Sequence, residues 1–278
     1  IALPAEHFNP VIWTGTGADK AITVGFQSDM TWIKQRNNAV YYNALIDSVR
    51  GATKEIYPNA NEAEATESES LKSFDSNGFT VGSRVGINTN TGLMASWNWK
   101  GGGTAVSNTD GSITSSVSAN TTAGFSIVSY TGDGTAGSTV GHGLSQTPDL
   151  IIIKNRGAVT NWVVNSPIID STFVKWAMKL DNNEAISADT TIWNSTAPGA
   201  SVFTLGTAGE SNRGNAGDDY IAYCFHSVEG YSKVGSYEGN GNADGAFVYT
   251  GFRPAYVLSK DTSSANNWAV VDDARNIY

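Results

Sequence analysis

The sequence predicts an all-β protein, built of tandem β-sandwich (jelly-roll-like) repeat units with minimal helix. Three observations lead there. Short β-branched and aromatic runs alternate with Gly, Asn and Asp clusters along the whole chain. Amphipathic helical stripes are scarce. Several sequence boxes recur in the same order. Composition agrees, with 30 Gly in 278 residues and only 15% charged residues, against averages of about 7% Gly and roughly 25% charged. Aromatics reach 10%, too many for a disordered chain.

Strands are placed by local pattern. Ser126-Ile-Val-Ser-Tyr-Thr131 is β-branched and aromatic and ends at Gly132. Leu150–Ile153 is a continuous apolar run after Pro148-Asp149, as a strand buried on both faces requires. Leu93, Ala95, Trp97 and Trp99 alternate with Met94, Ser96 and Asn98, the period of a strand with one face in a core. Tyr220–His226 is the matching strand further on. Glu62–Leu71 and Asp181–Asp189 are polar throughout and read as solvated excursions of one helical turn each.

The boxes divide the chain. An aromatic residue before x-Gly-x-Gly occurs at Trp13, Tyr130 and Tyr237. A turn followed by an apolar run ending in Lys occurs three times, at Lys34, Lys154 and Lys260. Asn161-Trp162 matches Asn267-Trp268, and Asp47-Ser-Val-Arg50 matches Asp272-Asp-Ala-Arg275. Gly78–Gly82 pairs with Val202–Gly206, and Leu93–Trp99 with Tyr220–Phe225. These give a first unit at 1–100, a Gly/Ser/Thr-rich linker at 101–124, a second unit at 125–230 and an incomplete third at 231–278. Within the linker, Gly101-Gly102-Gly103 reads as flexible or turn-forming, while Ile113 and Val117 suggest a strand. The opening, Ile1-Ala-Leu-Pro-Ala-Glu-His7, lacks both an initiator Met and a signal-peptide pattern, so it reads as an internal fragment of a longer protein.

Several function classes fall away. A net charge of −9 gives no nucleic-acid footprint. No apolar stretch approaches the ~20 residues of a membrane helix. Cys224 alone cannot build a disulfide framework, and its apolar strand marks it as a buried hydrophobe.

Motifs for chemistry are weak. Gly132-Asp-Gly134-Thr-Ala-Gly137 spells G-x-G-x-x-G after a strand, but no helix follows to meet a pyrophosphate, so it reads as a hairpin turn. Asn240-Gly-Asn242-Ala-Asp244-Gly245 resembles the front of a calcium loop, yet Gly251 stands where the bidentate Glu belongs. His7, His142 and His226 lack metal-site spacing. Asp218-Asp219, Asp272-Asp273 and Glu62–Glu69 supply carboxylates, but neighbours on a strand point to opposite faces. The reading is therefore no catalytic residue, no metal and no cofactor. Trp193, inside Thr191-Ile-Trp-Asn-Ser-Thr196, is the candidate receptor-binding residue, because an exposed indole there would stack on a sugar ring.

Together the boxes resemble the repeat of marine bacteriophage tail-fibre-like virion proteins. The likeness is carried by Ala123–Leu144, Pro148–Arg156 and Tyr220–Tyr237, and in the first unit by Thr14–Gly17, Ser73–Gly82 and Trp97–Gly102. It covers nearly the whole chain and departs at the C-terminus, where the third unit stays unfinished. The resemblance implies a virion structural protein of tail-fibre or appendage type that contributes to host-surface attachment, and no enzyme. Implied partners are other virion proteins and copies of itself, a trimer being the fibre-like form, with a host-surface glycan or protein as receptor. Its place would be the virion, assembled in the reducing bacterial cytoplasm. The alternatives are a tailspike-like glycan depolymerase, needing two carboxylates in one groove, and a bacterial carbohydrate-binding or adhesin module.

Overall fold

A computed structural model describes residues 3–169, 176–213 and 217–275, with the side chain of Trp176 excepted. The protein is all-β, with antiparallel sheets, no closed barrel and one four-residue α-helix among the described residues. After a 3-10 turn at Pro4–Glu6, the first unit holds β1 (Phe8–Thr14), β2 (Lys20–Thr23), β3 (Met30–Gln35) and β4 (Ala44–Asp47). It continues through β5 (Lys54–Glu55), β6 (Ala65–Thr66), β7 (Leu71–Asp75), β8 (Gly78–Val81) and β9 (Leu93–Trp99). A four-stranded sheet, β1-β9-β3-β4, faces a three-stranded sheet, β2-β8-β7. Ile22, Ile33, Ile46, Leu71, Phe79 and Val81 fill the space between them.

The second unit holds β10 (Val106–Asn108), β11 (Ser115–Asn120), β12 (Phe125–Thr131), β13 (Thr139–Gly141), β14 (Leu150–Asn155) and β15 (Val163–Asn165). Then come β16 (Trp176–Lys179), β17 (Ser187–Ala188), α1 (Thr190–Trp193), β18 (Val202–Thr204) and β19 (Asp219–Phe225). Its main sheet has eight strands in the order β10-β11-β12-β19-β14-β15-β16-β17, and β13-β18 forms the opposing sheet. The inner four, β12-β19-β14-β15, stand in the same order as β1-β9-β3-β4. Likewise β13 pairs with β18 as β2 pairs with β8. The third unit contributes a hairpin of β20 (Tyr256–Ser259) and β21 (Ala269–Asp272), which occupies the place of β3-β4 and β14-β15.

The period of two sorts side chains between two cores. On β19, Tyr220, Ala222 and Cys224 enter the second unit's own core. Ile221, Tyr223 and Phe225 point the other way, into a core shared by all three units. Trp32 and Trp97 reach that shared core from the first unit, and Tyr256, Trp268 and Val270 from the third. Leu93–Trp99 therefore differs from its sequence reading, which gave it one buried face. Met94, Ser96 and Asn98 are also buried, because a second layer covers each side of the sheet.

The strand expected within 101–124 is present: β11 holds Val117, and with β10 it extends the second unit's main sheet. A Cβ on Gly102 would lie 2.3 Å from the Ala119 carbonyl oxygen, so glycine permits a close approach there. The polar excursions differ from their sequence reading. Glu62–Leu71 contains β6 and no helix, and Glu64 is drawn into an ionic network. The single helical turn of the second unit begins just after Asp189, whose carboxylate caps it by accepting from the Thr191 N–H at 2.9 Å.

Candidate functional site

One group of buried charged side chains and indoles gathers at the seams between the units. Register defines the matching positions. Ile33 opposes Ala44 as Ile153 opposes Val163. Leu45 opposes Ile56 as Val164 opposes Met178. Tyr57 and Lys179 are thus counterparts, one residue further along.

Between the first and second units, the Trp162 indole N–H donates to the Tyr57 carbonyl at 2.9 Å. The Lys154 ammonium, fully buried, donates to Asn61 O across the seam at 3.3 Å and to Ala158 O and Thr160 O in its own loop. Burial lowers its pKa to about 8, against a small upward pull from Asp181 and Glu62. The Glu64 N–H donates to Arg156 O at 2.9 Å.

The second and third units repeat these contacts. The Trp268 N–H donates to Lys179 O at 2.7 Å. The Lys260 ammonium donates to Asn183 O at 3.4 Å, and to Asp261 O and Asn266 O in its own loop. The Ile186 N–H donates to Thr262 O at 3.1 Å.

A buried ionic cluster is added at the first seam. Arg50 and Asp47 pair at 2.6 Å with both side chains fully buried. The Tyr223 hydroxyl reaches in from the second unit and donates to Asp47 Oδ2 at 2.6 Å. Arg50 also donates to Leu45 O, Lys54 O and Glu64. Arg156 clasps both oxygens of Glu64, at 2.9 and 3.0 Å. Burial alone would raise the Glu64 pKa. The hydrogen bonds from Arg156 and the charge of Arg50 outweigh it and hold the carboxyl below its ordinary value. Desolvation pushes the Tyr223 hydroxyl well up, so it stays a donor.

The third unit offers the same pocket to the first. Asp272 pairs with Arg275, and the Trp97 N–H donates to Asp272 Oδ2 at 2.9 Å. Arg275 lies over the Trp97 ring at 5.1 Å from its centroid. Trp97 on β9 and Tyr223 on β19 are counterparts, each lying directly across from the corresponding residue of its sheet, Trp32 and Ile152. Contacts therefore run from second unit to first, third to second and first to third, and the ring closes. At its centre the Trp99 ring lies 5.4 Å from Tyr256 and 6.5 Å from Phe225.

The remaining sequence candidates take structural places. Trp193 is 1% exposed and packs in the second unit's core, so its ring presents no stacking face. Its neighbour Ile192 is buried beside it, and that apolar pair within a polar loop was the overlooked signal. The Gly132–Gly137 turn is tied down by buried Asn212, which accepts from the N–H groups of Asp133 and Gly134 and donates to Thr135 O and Gly206 O. Asn88 anchors Gly15–Lys20 in the same way, through Thr16 N–H, Ala18 O and Gly82 O. Each Asn stands six residues after its glycine, a spacing that sequence reading missed.

In Asn240–Asp244 the Asn side chains accept from backbone N–H groups two residues on, and the segment is exposed. Among the described residues no group of three His, Cys, Asp or Glu side chains is placed to hold a metal ion. Asp218 accepts from Asn155 and Asp219 from Thr131. The Cys224 thiol is buried, and desolvation pushes its pKa up to about 12.

Fold and seams define the class: an all-β protein of antiparallel sheets packed around a shared aromatic core. The chain belongs to the DUF7483 family, a domain of unknown function, which matches residues 3–278 and so runs through all three units. No curated protein and no solved structure matches it.

Proposed function

We propose that this chain is a bacteriophage virion structural protein of tail-fibre or appendage type, made of tandem repeat sandwiches, that contributes to host-surface attachment and carries out no catalysis. The observation that carries the reading is the use of chemistry in the molecule. A set of its buried or half-buried charges and an indole N–H joins units: Asp47, Arg50, Glu64, Arg156, Lys154 and Trp162 all engage across or beside one seam. That suits a rigid building element that transmits load through packed interfaces. The sequence resemblance to tail-fibre-like repeats supports the same role. Attachment would rest on exposed loops and valency rather than on one deep site. Trp193 has no part in it while buried.

Antibody against the protein, applied to gradient-purified virions of a phage carrying this family, tests the structural role. Gold label on a tail appendage is the expected result. Its absence from intact particles that infect normally would contradict the reading. For attachment, the native oligomer is titrated onto host cells, and binding that blocks phage adsorption is expected. Failure to bind at any concentration would remove attachment and leave the structural role standing.

A further inference from the structure

In the first unit β3 carries β4 on one edge and β9 on the other, and in the second β14 carries β15 and β19. β20 carries β21, and among the described residues no strand lies on its other edge. The late strands β9 and β19 are tied in at their ends. The Asp29 N–H donates to Trp99 O at 2.8 Å and the Asp149 N–H to Phe225 O at 2.7 Å. Ala255 stands at that position in the third unit.

Burial separates the two faces of the hairpin. Tyr256 and Val270 are seated on the shared core. On the opposite face Val257 and Val271 are 45% exposed, whereas their counterparts Ile151 and Ile46 are fully buried. Val257 and Val271 lie directly opposite one another across the hairpin, so the bare apolar surface is contiguous. Isolated exposed apolar residues are ordinary; a cluster beside an unpaired strand edge is a docking surface.

We propose that the outer edge of β20 is an acceptor site for a late strand of the β9/β19 type. The occupant is an extended segment of alternating aromatic and small residues, as in Asp219–Phe225, offered by a further unit of this same repeat. Main-chain hydrogen bonds to the β20 edge supply affinity, and one row of its side chains covers Val257. The site is continuous with the shared core, so the added strand would extend an interface that already exists. The inference stands on strand pairing and burial and does not depend on the functional reading.

The probe is a fluorescent peptide of the sequence of residues 217–227, with Ser in place of Cys224, titrated into the protein. Saturable binding is expected, with hydrogen exchange slowed at 255–259. The substitution Val257→Lys puts a charge on the bare face at a position that is already half exposed, and it should weaken binding by roughly tenfold or more. A scrambled peptide should not bind. The proposal is overturned by absence of binding, by equal binding of the scrambled peptide, or by unchanged affinity in Val257→Lys. A dimer paired through β20 that takes up no peptide would assign the edge to a second copy and overturn it as well.

Discussion

The first and second seams share a backbone plan and differ in chemistry. Both have an indole and a lysine from one unit captured by carbonyls of the unit before, Tyr57 and Asn61 in one case, Lys179 and Asn183 in the other. Where the first seam places Glu64 and Arg156, the second places Ile186 and Thr262. Where the first has Asp47 and Arg50, the second unit has Ser166 and Ile169. Carbonyl capture needs only a lysine and a tryptophan at fixed places on a strand and its loop. The ionic cluster is an addition, and buried ion pairs give specificity of register more dependably than net stability.

That difference sets the size of each expected effect. The largest follows removal of Arg50. Arg50→Ala leaves Asp47 and Glu64 buried beside no full complement of cations, and denaturant unfolding should show a loss of about 3–5 kcal/mol. Arg275→Ala strips the same role from the third unit. Its side chain is 26% exposed, so a loss of roughly 1–2 kcal/mol is expected, because water replaces part of the pairing. Equal losses would erase the distinction between the pockets.

Next comes Lys154. Its folded pKa of about 8 lies below the roughly 10.4 of an unfolded lysine. The unfolded chain binds more protons between those values, so stability should rise with pH from about 8 to about 10.4, by about 3 kcal/mol in all. Lys154→Met should flatten that rise. Lys260→Met should change it little, because Lys260 makes its bonds near the surface.

Glu64 works in the acid direction. Its folded pKa is depressed, so its contribution is present above the unfolded value of about 4.3 and is lost as pH falls through the folded one. Glu64→Gln should remove about 1–2 kcal/mol at neutral pH and shallow the acid limb of the stability profile. A variant with an unchanged limb would show that the Arg156 clasp contributes nothing. The smallest effect is expected for the indole donors. Trp162→Phe should cost about 1 kcal/mol beyond packing, and Trp268→Phe less, since Trp268 is only partly buried.

Much of the fold was legible. β9, β12, β14 and β19 announce themselves by alternation or by continuous apolar runs, and the Asp-x-x-Arg and Asn-Trp boxes mark positions that turn out to meet at seams. The partners were not legible. Glu64 lies in an acidic run that looks solvated, and its clasp comes from Arg156, 92 residues away. Tyr223 and Asp47 lie 176 residues apart. Local pattern assigns a strand its two faces without saying that the second face also has a cover. Trp193 was misplaced for a related reason: the polar residues around it describe the loop's surface, while the helix turn drives Ile192 and Trp193 inward.

The central claim is that the units are fastened to one another through these seams rather than strung along a tether. A double-mutant cycle between Tyr223→Phe and Asp47→Asn tests it most directly, since the two residues share no unit and meet only at the seam. A coupling energy of about 1.5–3 kcal/mol is expected for a buried hydrogen bond to a charged group. Additive losses, with coupling indistinguishable from zero, would contradict the account.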